Sequence, residues 1–119
     1  MFTKILYPSE ARTASPTPLE VENPFHRGAQ VIIDVTAVTL TPSVTFSVQG
    51  KDPASGKWYE LLASAAITSV STVVLTIMPG AAATANVSAN NGIPINWRVV
   101  ATHADADSIT YSVGVNMLR

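Results

Sequence analysis

AQVIIDVTAVTLTPSVTFSV, residues 29–48, sets the class of fold. Its first half carries Val31, Ile32, Ile33, Val35, Val38 and Leu40 with no glycine or proline among them. β-Branched and apolar residues at this density suit a pleated, largely buried surface. In the second half Val44, Phe46 and Val48 alternate with Thr45, Ser47 and Gln49. That period of two gives a half-buried strand with one apolar and one small-polar face. Thr41-Pro42-Ser43 separates the halves, so the stretch reads as two neighbouring strands that meet at a corner. A two-stranded unit is marginal in water, so the rest of the chain must cover its apolar face.

Moving outward, Gly50 to Lys57 contains Asp52-Pro53 and Ser55-Gly56, the punctuation of a turn between strands. Trp58 to Leu62 opens the next strand, and Ala63 to Ser71 either finishes it or forms a loop. Thr72 to Met78 predicts a strand with Val73, Leu75 and Ile77 on one face, ended by Pro79-Gly80. Ala81 to Asn91 has no sustained helical period, which leaves a surface loop or a single helical turn. Ile95, Trp97, Val99 and Ala101 then share a face, and the last strand puts Ile109, Tyr111, Val113, Val115 and Met117 together. About six to eight short strands joined by turns predict an all-β, antiparallel β-sandwich of jelly-roll or Ig-like type, or a small barrel. With no cysteine pair for Trp58 or Trp97 to pack against, the jelly roll is preferred over the immunoglobulin pattern.

Residues 1–24 differ from the rest of the chain. Pro8, Pro16, Pro18 and Pro24 recur too often for a helix or a central strand, because each removes a donor and fixes φ. Apolar Phe2, Ile5, Leu6, Leu19 and Val21 argue against a purely solvated tail. The segment is expected to be an extended arm ahead of a β-sandwich domain at 25–119. It lies as edge strands on its own sandwich or docks on a neighbouring subunit. The expected interface residues are Phe2, Ile5, Leu6, Tyr7, Leu19, Val21 and Phe25.

At 119 residues the chain holds one domain. Charged residues make up only 13%, about half the roughly 25% usual for soluble domains. A formal net charge of -1 does little to keep copies apart, so self-association is expected. Lys4, Arg12, Arg27, Lys51, Lys57, Arg98 and Arg119 are scattered, which argues against a nucleic-acid partner. No cysteine is present for a disulfide or thiolate metal site. Neither a signal peptide nor a run of ~20 apolar residues is seen, so no membrane partner and synthesis in the cytoplasm are expected. Asn86-Val87-Ser88 matches a glycosylation sequon, which has no meaning without secretion.

Few residues suggest chemistry. On an extended backbone His103, Asp105 and Asp107 would share a face and could hold a divalent ion. The same residues also suit a solvated turn whose carboxylates accept backbone amides, and that reading is preferred, as is a surface or interface role for His26. No nucleophile elbow or phosphate loop occurs, so neither catalysis nor a cofactor is expected. Asp34 and Arg98, each inside a strand, suggest a cross-strand ion pair on the solvent side or a subunit contact. One of Trp58 and Tyr59 could serve as an aromatic platform for a sugar, since adjacent strand residues face opposite ways.

The pattern GAQVIIDVTAVTLTPSVTFSVQGKDPASGKWYELLAS from Gly28, with INWRVVATHADADSITYSVGVNML from Ile95, resembles small structural proteins of tailed bacteriophages. The likeness covers roughly the last four-fifths of the chain and is one of whole-strand pattern. It implies a non-enzymatic virion component, a capsid decoration or minor capsid protein on the head surface. Its partners would be copies of itself, commonly as a trimer, and the major capsid protein. The same origin also allows a tail or fibre module that binds host glycan through Trp58, Tyr59 or the loops 88–92 and 103–107.

Overall fold

The computed structural model describes residues 2–23 and 25–119; Met1 and Pro24, both in the expected arm, lie outside this description. Among the described residues all regular structure is β, in nine strands. They are β1 (Phe2–Arg12), β2 (Val21–Glu22), β3 (Gly28–Val38), β4 (Val44–Lys51), β5 (Trp58–Ala63), β6 (Ser71–Ile77), β7 (Ser88–Ala89), β8 (Asn96–His103) and β9 (Ile109–Leu118). Two sheets form, one in the order β1-β9-β3-β6-β7 and the other β2-β8-β4-β5, and every pairing is antiparallel except β6 with the short β7. Among the described residues no helix is long and apolar enough to cross a membrane.

The expected sandwich is present, with alternation as its cause. Val31, Ile33 and Val35 of β3, Val44, Phe46 and Val48 of β4, Trp97, Val99 and Ala101 of β8, and Ile109 to Met117 at every second position of β9 are buried. These inward faces meet in one core. Each of its larger side chains contributes about 1.5–3 kcal/mol by leaving water. Trp97 Nε1 lies in that core with no acceptor, a local cost that the burial of the indole offsets.

Residues 29–48 do not form a neighbouring pair, contrary to the sequence reading. β3 is central in one sheet and β4 in the other, so the two strands face each other across the core. The corner between them runs through Leu40, whose φ of 64° is a left-handed conformation that side-chain-bearing residues seldom adopt. Alternation tells which face of a strand is apolar, and two strands that face each other across a sandwich satisfy it as well as two that pair.

The N-terminal segment lies on the sandwich. β1 pairs with β9 from Phe2↔Met117 to Arg12↔Ile109, and β2 pairs with β8 at Val21↔Trp97. Residues 2–12 and 21–22 are therefore edge strands on the chain's own sandwich, the first of the two placements considered for this segment. Pro8 is accommodated because β1 has a free outer edge and two register shifts, between Ile5 and Tyr7 and between Tyr7 and Glu10.

The pairings β4–β5, β3–β6, β2–β8 and β1–β9 are nested, like successive rungs of one long hairpin. Rolling that hairpin brings β9 against β3 and β8 against β4, which closes the two sheets. Asp52 fixes the β4–β5 turn: its Oδ1 accepts the Ala54 amide at 2.9 Å and its Oδ2 the Ser55 hydroxyl at 2.8 Å. The Ala54 amide, then the Ser55 hydroxyl, hold its carboxyl below the ordinary carboxylate range. Gly56, at φ 75°, supplies the left-handed residue that this turn requires.

Candidate docking surface

The two outward faces of the sandwich are unlike. On the four-stranded sheet stand Glu22, Lys51, Trp58, Glu60 and Arg98, with Glu20 reaching Lys51 at 3.3 Å. Arg98 and Asp34, expected as a possible ion pair, lie in different sheets and do not meet. Arg98 Nε donates to Gln49 Oε1 at 2.9 Å, and Asp34 Oδ1 accepts the Thr72 hydroxyl at 3.2 Å. The Arg98 guanidinium lies 4.1 Å from the centre of the Trp58 ring and Lys51 Nζ 5.5 Å from it. These cations occupy the indole that was considered as a sugar platform. Tyr59, paired with Gly50 on the opposite face of the strand, is partly exposed.

The outward face of the five-stranded sheet carries rows that run across three or four strands. Ile5, Gly114, Ile32 and Val74 form one row through β1, β9, β3 and β6. The row on one side is Thr3, Asn116, Gln30 and Thr76; on the other, Ser112, Asp34 and Thr72. Asp34 is the one formal charge in these rows, and Lys4 stands at the rim. Ile5 is 70% exposed and Val74 is also exposed. Between the isoleucines is a shallow notch of about 470 Å³ over Gly114, lined also by Thr3, Lys4 and Asn116.

A mid-strand glycine packs nothing and loses roughly 0.5–1 kcal/mol relative to alanine, so its local reason matters. At Gly28 an added Cβ would collide with the Ile77 carbonyl and Met78, and at Gly50 it would lie 2.7 Å from Pro94 and the Tyr59 ring. At Gly114 it would meet only the Lys4 carbonyl, at 4.0 Å, and φ is not left-handed there. Neither a clash nor a left-handed backbone within the subunit demands a glycine at that position.

The seven residues expected at an interface divide. Leu6, Tyr7 and Val21 are buried in the chain's own core, whereas Phe2, Ile5, Leu19 and Phe25 are exposed, Phe25 by 86%. Phe2 and Phe25 come together with Glu22, Asn23, His26 and Met117 around a mostly apolar cleft of about 220 Å³. The Phe2 and His26 rings stand 5.8 Å apart, which places His26 at this surface. Asn23 shapes the cleft: its Nδ2 donates to the His26 carbonyl at 2.7 Å and its Oδ1 accepts the His26 amide at 3.0 Å.

His103, Asp105 and Asp107 do not converge. Asp105 Oδ1 accepts the Asp107 amide at 3.0 Å, while Asp107 Oδ2 accepts the Thr41 amide at 3.2 Å. His103 Nε2 turns away to the Tyr111 hydroxyl at 2.9 Å. Among the described residues no group of three potential metal ligands gathers anywhere.

A cluster that sequence reasoning missed lies behind His103. Arg12 is only 7% exposed; its Nη1 donates to the Tyr111 carbonyl at 2.7 Å and its Nη2 to the Pro8 carbonyl at 2.6 Å. The guanidinium stands 4.5 Å from the centre of the Tyr111 ring, and Glu10 approaches it at 3.6 Å. Tyr7 donates its hydroxyl to the Val99 carbonyl, tying β1 in one sheet to β8 in the other. Burial raises the Tyr7 hydroxyl and pushes Tyr111 up to about 12, while burial and then Arg12 lower His103. These groups are spent on one another and on backbone carbonyls, so the cluster fastens the N-terminal strand. No local motif announces it, because residues 7, 12, 103 and 111 meet only through strand pairing.

No protein-family model matches the chain, no curated protein matches its sequence, and no solved structure matches its fold.

Proposed function

We propose that this chain is a bacteriophage virion structural protein, a capsid decoration or cement protein that self-associates and binds major capsid subunits at the head surface. The sandwich is read as a jelly roll: setting aside β7, the orders β1-β9-β3-β6 and β2-β8-β4-β5 are those of eight strands rolled as two Greek keys. Viral capsid domains are among the users of that architecture. The observation that carries the reading is the set of apolar side chains left exposed on the sandwich near its N-terminus: Phe2, Ile5, Leu19 and Phe25. Phe2 and Phe25 gather at one cleft, Ile5 lines the Gly114 notch, and exposed apolar groups of this kind mark contact surfaces. The mechanism is mechanical: a contact of about 800 Å² per partner links adjacent capsid subunits against internal pressure.

The test is co-sedimentation of purified protein with expanded, undecorated capsids. Saturable binding is expected, with Phe2→Ser and Phe25→Ser each weakening it at least tenfold while leaving the melting temperature unchanged. These substitutions serve better than removal of residues 1–24, which would take Leu6, Tyr7 and Arg12 out of the fold. Absence of saturable binding, together with retention of the protein on a host-glycan array, would favour the tail or fibre reading.

A further inference from the structure

We propose that the outward face of the five-stranded sheet is a self-association surface, and that its occupant is the same face of a second copy, related by a two-fold axis running along the strands between β3 and β9. The inference rests on the self-association part of the proposed function and not on capsid binding.

Three observations point to this partner. Gly114 leaves an open notch in mid-strand that the subunit's own packing does not need, and a strand glycine of that kind marks close approach by another group. Such an axis sets β9 of one copy over β3 of the other, so Ile32 of each copy seats in the notch over the partner's Gly114. The same operation sets Ile5 over the partner's Val74, Gln30 over the partner's Asn116, and Asp34 over the partner's Ser112 hydroxyl. Every row therefore meets a complement within itself, as an isologous contact requires.

Charge selects the same occupant. Covering this face with the other outward face would desolvate Glu20, Glu22, Lys51, Glu60 and Arg98 against a surface that offers one carboxylate within its rows, and buried charges without partners are costly. A second copy of the five-stranded face brings one carboxylate, Asp34, which already accepts the Thr72 hydroxyl of its own chain. Area is also adequate. Four strands at about 4.8 Å spacing and roughly ten residues at about 3.3 Å rise give about 630 Å² per copy, and about 1,250 Å² in total lies at the lower end of the range of stable interfaces. The two-fold contact makes a dimer, where the family resemblance implies a trimer.

Two measurements decide it. Sedimentation velocity from about 1 to 100 µM should show a dimer for the natural chain. Gly114→Val places a branched side chain on the floor of the notch, with its Cβ in ordinary contact with the Lys4 carbonyl, and should weaken that dimer at least about thirtyfold, as loss of a central contact does. Its circular dichroism should stay unchanged, and Val100→Ser on the opposite face should associate normally. In the second experiment, Ile5→Cys and Val74→Cys proteins, separately and as a mixture, are treated with a bis-maleimide of about 8–10 Å reach, which suits residues that face each other across sheets packed ~10 Å apart. The chain has no cysteine of its own, and in a dimer of either protein alone the two like positions are offset by three strand spacings, beyond that reach. The mixture should give a covalent dimer on a non-reducing gel, and each protein alone should not. A monomer at 100 µM, a Gly114→Val protein that associates like the natural chain, or a mixture that fails to cross-link would each overturn the proposal. Capsid co-sedimentation of the monomeric Gly114→Val protein separates this outcome from failure of the decoration reading.

Discussion

Arg12 is the residue with the most at stake in the fold. It is charged and almost wholly buried, and it satisfies the Tyr111 and Pro8 carbonyls while lying over the Tyr111 ring. Arg12→Ala would leave those carbonyls unpaired and remove the stacking, at about 2–3 kcal/mol by urea unfolding. Arg12→Lys should recover less than half of this, because an ammonium lacks the planar fork that reaches two carbonyls at once. His103, beside the same cluster, gives a signature in pH. Burial, then Arg12, hold its folded pKa below the ordinary 6.5, so the folded protein binds fewer protons there than the unfolded chain. Its contribution to stability is complete above about pH 6.5 and is lost as pH falls through the lowered folded value. His103→Gln should therefore flatten the fall in melting temperature between pH 7 and 5, and an unchanged slope would remove His103 as its source. Little of this cluster is legible in the sequence, where Arg12 is one scattered cation and His103 stands nearest to two aspartates in sequence rather than to its actual partner, Tyr111.

At the scale of the element, legibility follows alternation. Val44 to Val48, Trp97 to Ala101 and Ile109 to Met117 announce both their strands and their inward faces, and the structure buries those faces. The turn at Asp52 to Gly56 is equally legible, because its carboxylate and its left-handed glycine act locally. Alternation does not say which strand is the neighbour. For that reason β3 and β4 read as a pair although they lie in opposite sheets, and Asp34 and Arg98 read as possible partners although the core separates them. Ile95 shows another limit: it keeps the phase of Trp97 but precedes β8, whose first residue is Asn96, and it is exposed. The prolines of the first 24 residues conceal β1, since an edge strand with register shifts tolerates what a central strand cannot. Deletion of residues 1–12 should accordingly do more than remove a contact. It strips Leu6 and Tyr7 from the core, at about 1.5–3 kcal/mol each, and uncovers the edge of β9. The truncated chain is expected to lose its near-ultraviolet circular dichroism and accumulate in the insoluble fraction; a soluble product with native signals would show that β1 is dispensable.

For the whole molecule, the division of labour is between a core that makes the sandwich rigid and surfaces that differ in what they offer. The charged outward face, with Lys51 and Arg98 beside the Trp58 ring, is suited to water; the nearly uncharged face with its Gly114 notch and the apolar cleft of Phe2 and Phe25 are suited to contact. The candidate surfaces were only partly legible: the sequence points to Phe2, Ile5 and Phe25, but the notch exists only once β1, β9 and β3 are aligned. The central claim, that this is a docking platform on a phage head, is tested most directly by imaging particles formed with and without the protein. Extra density at fixed lattice positions on the outer capsid surface, present only with the protein, is the expected result, and density confined to the tail, or no difference between the two particles, would contradict it.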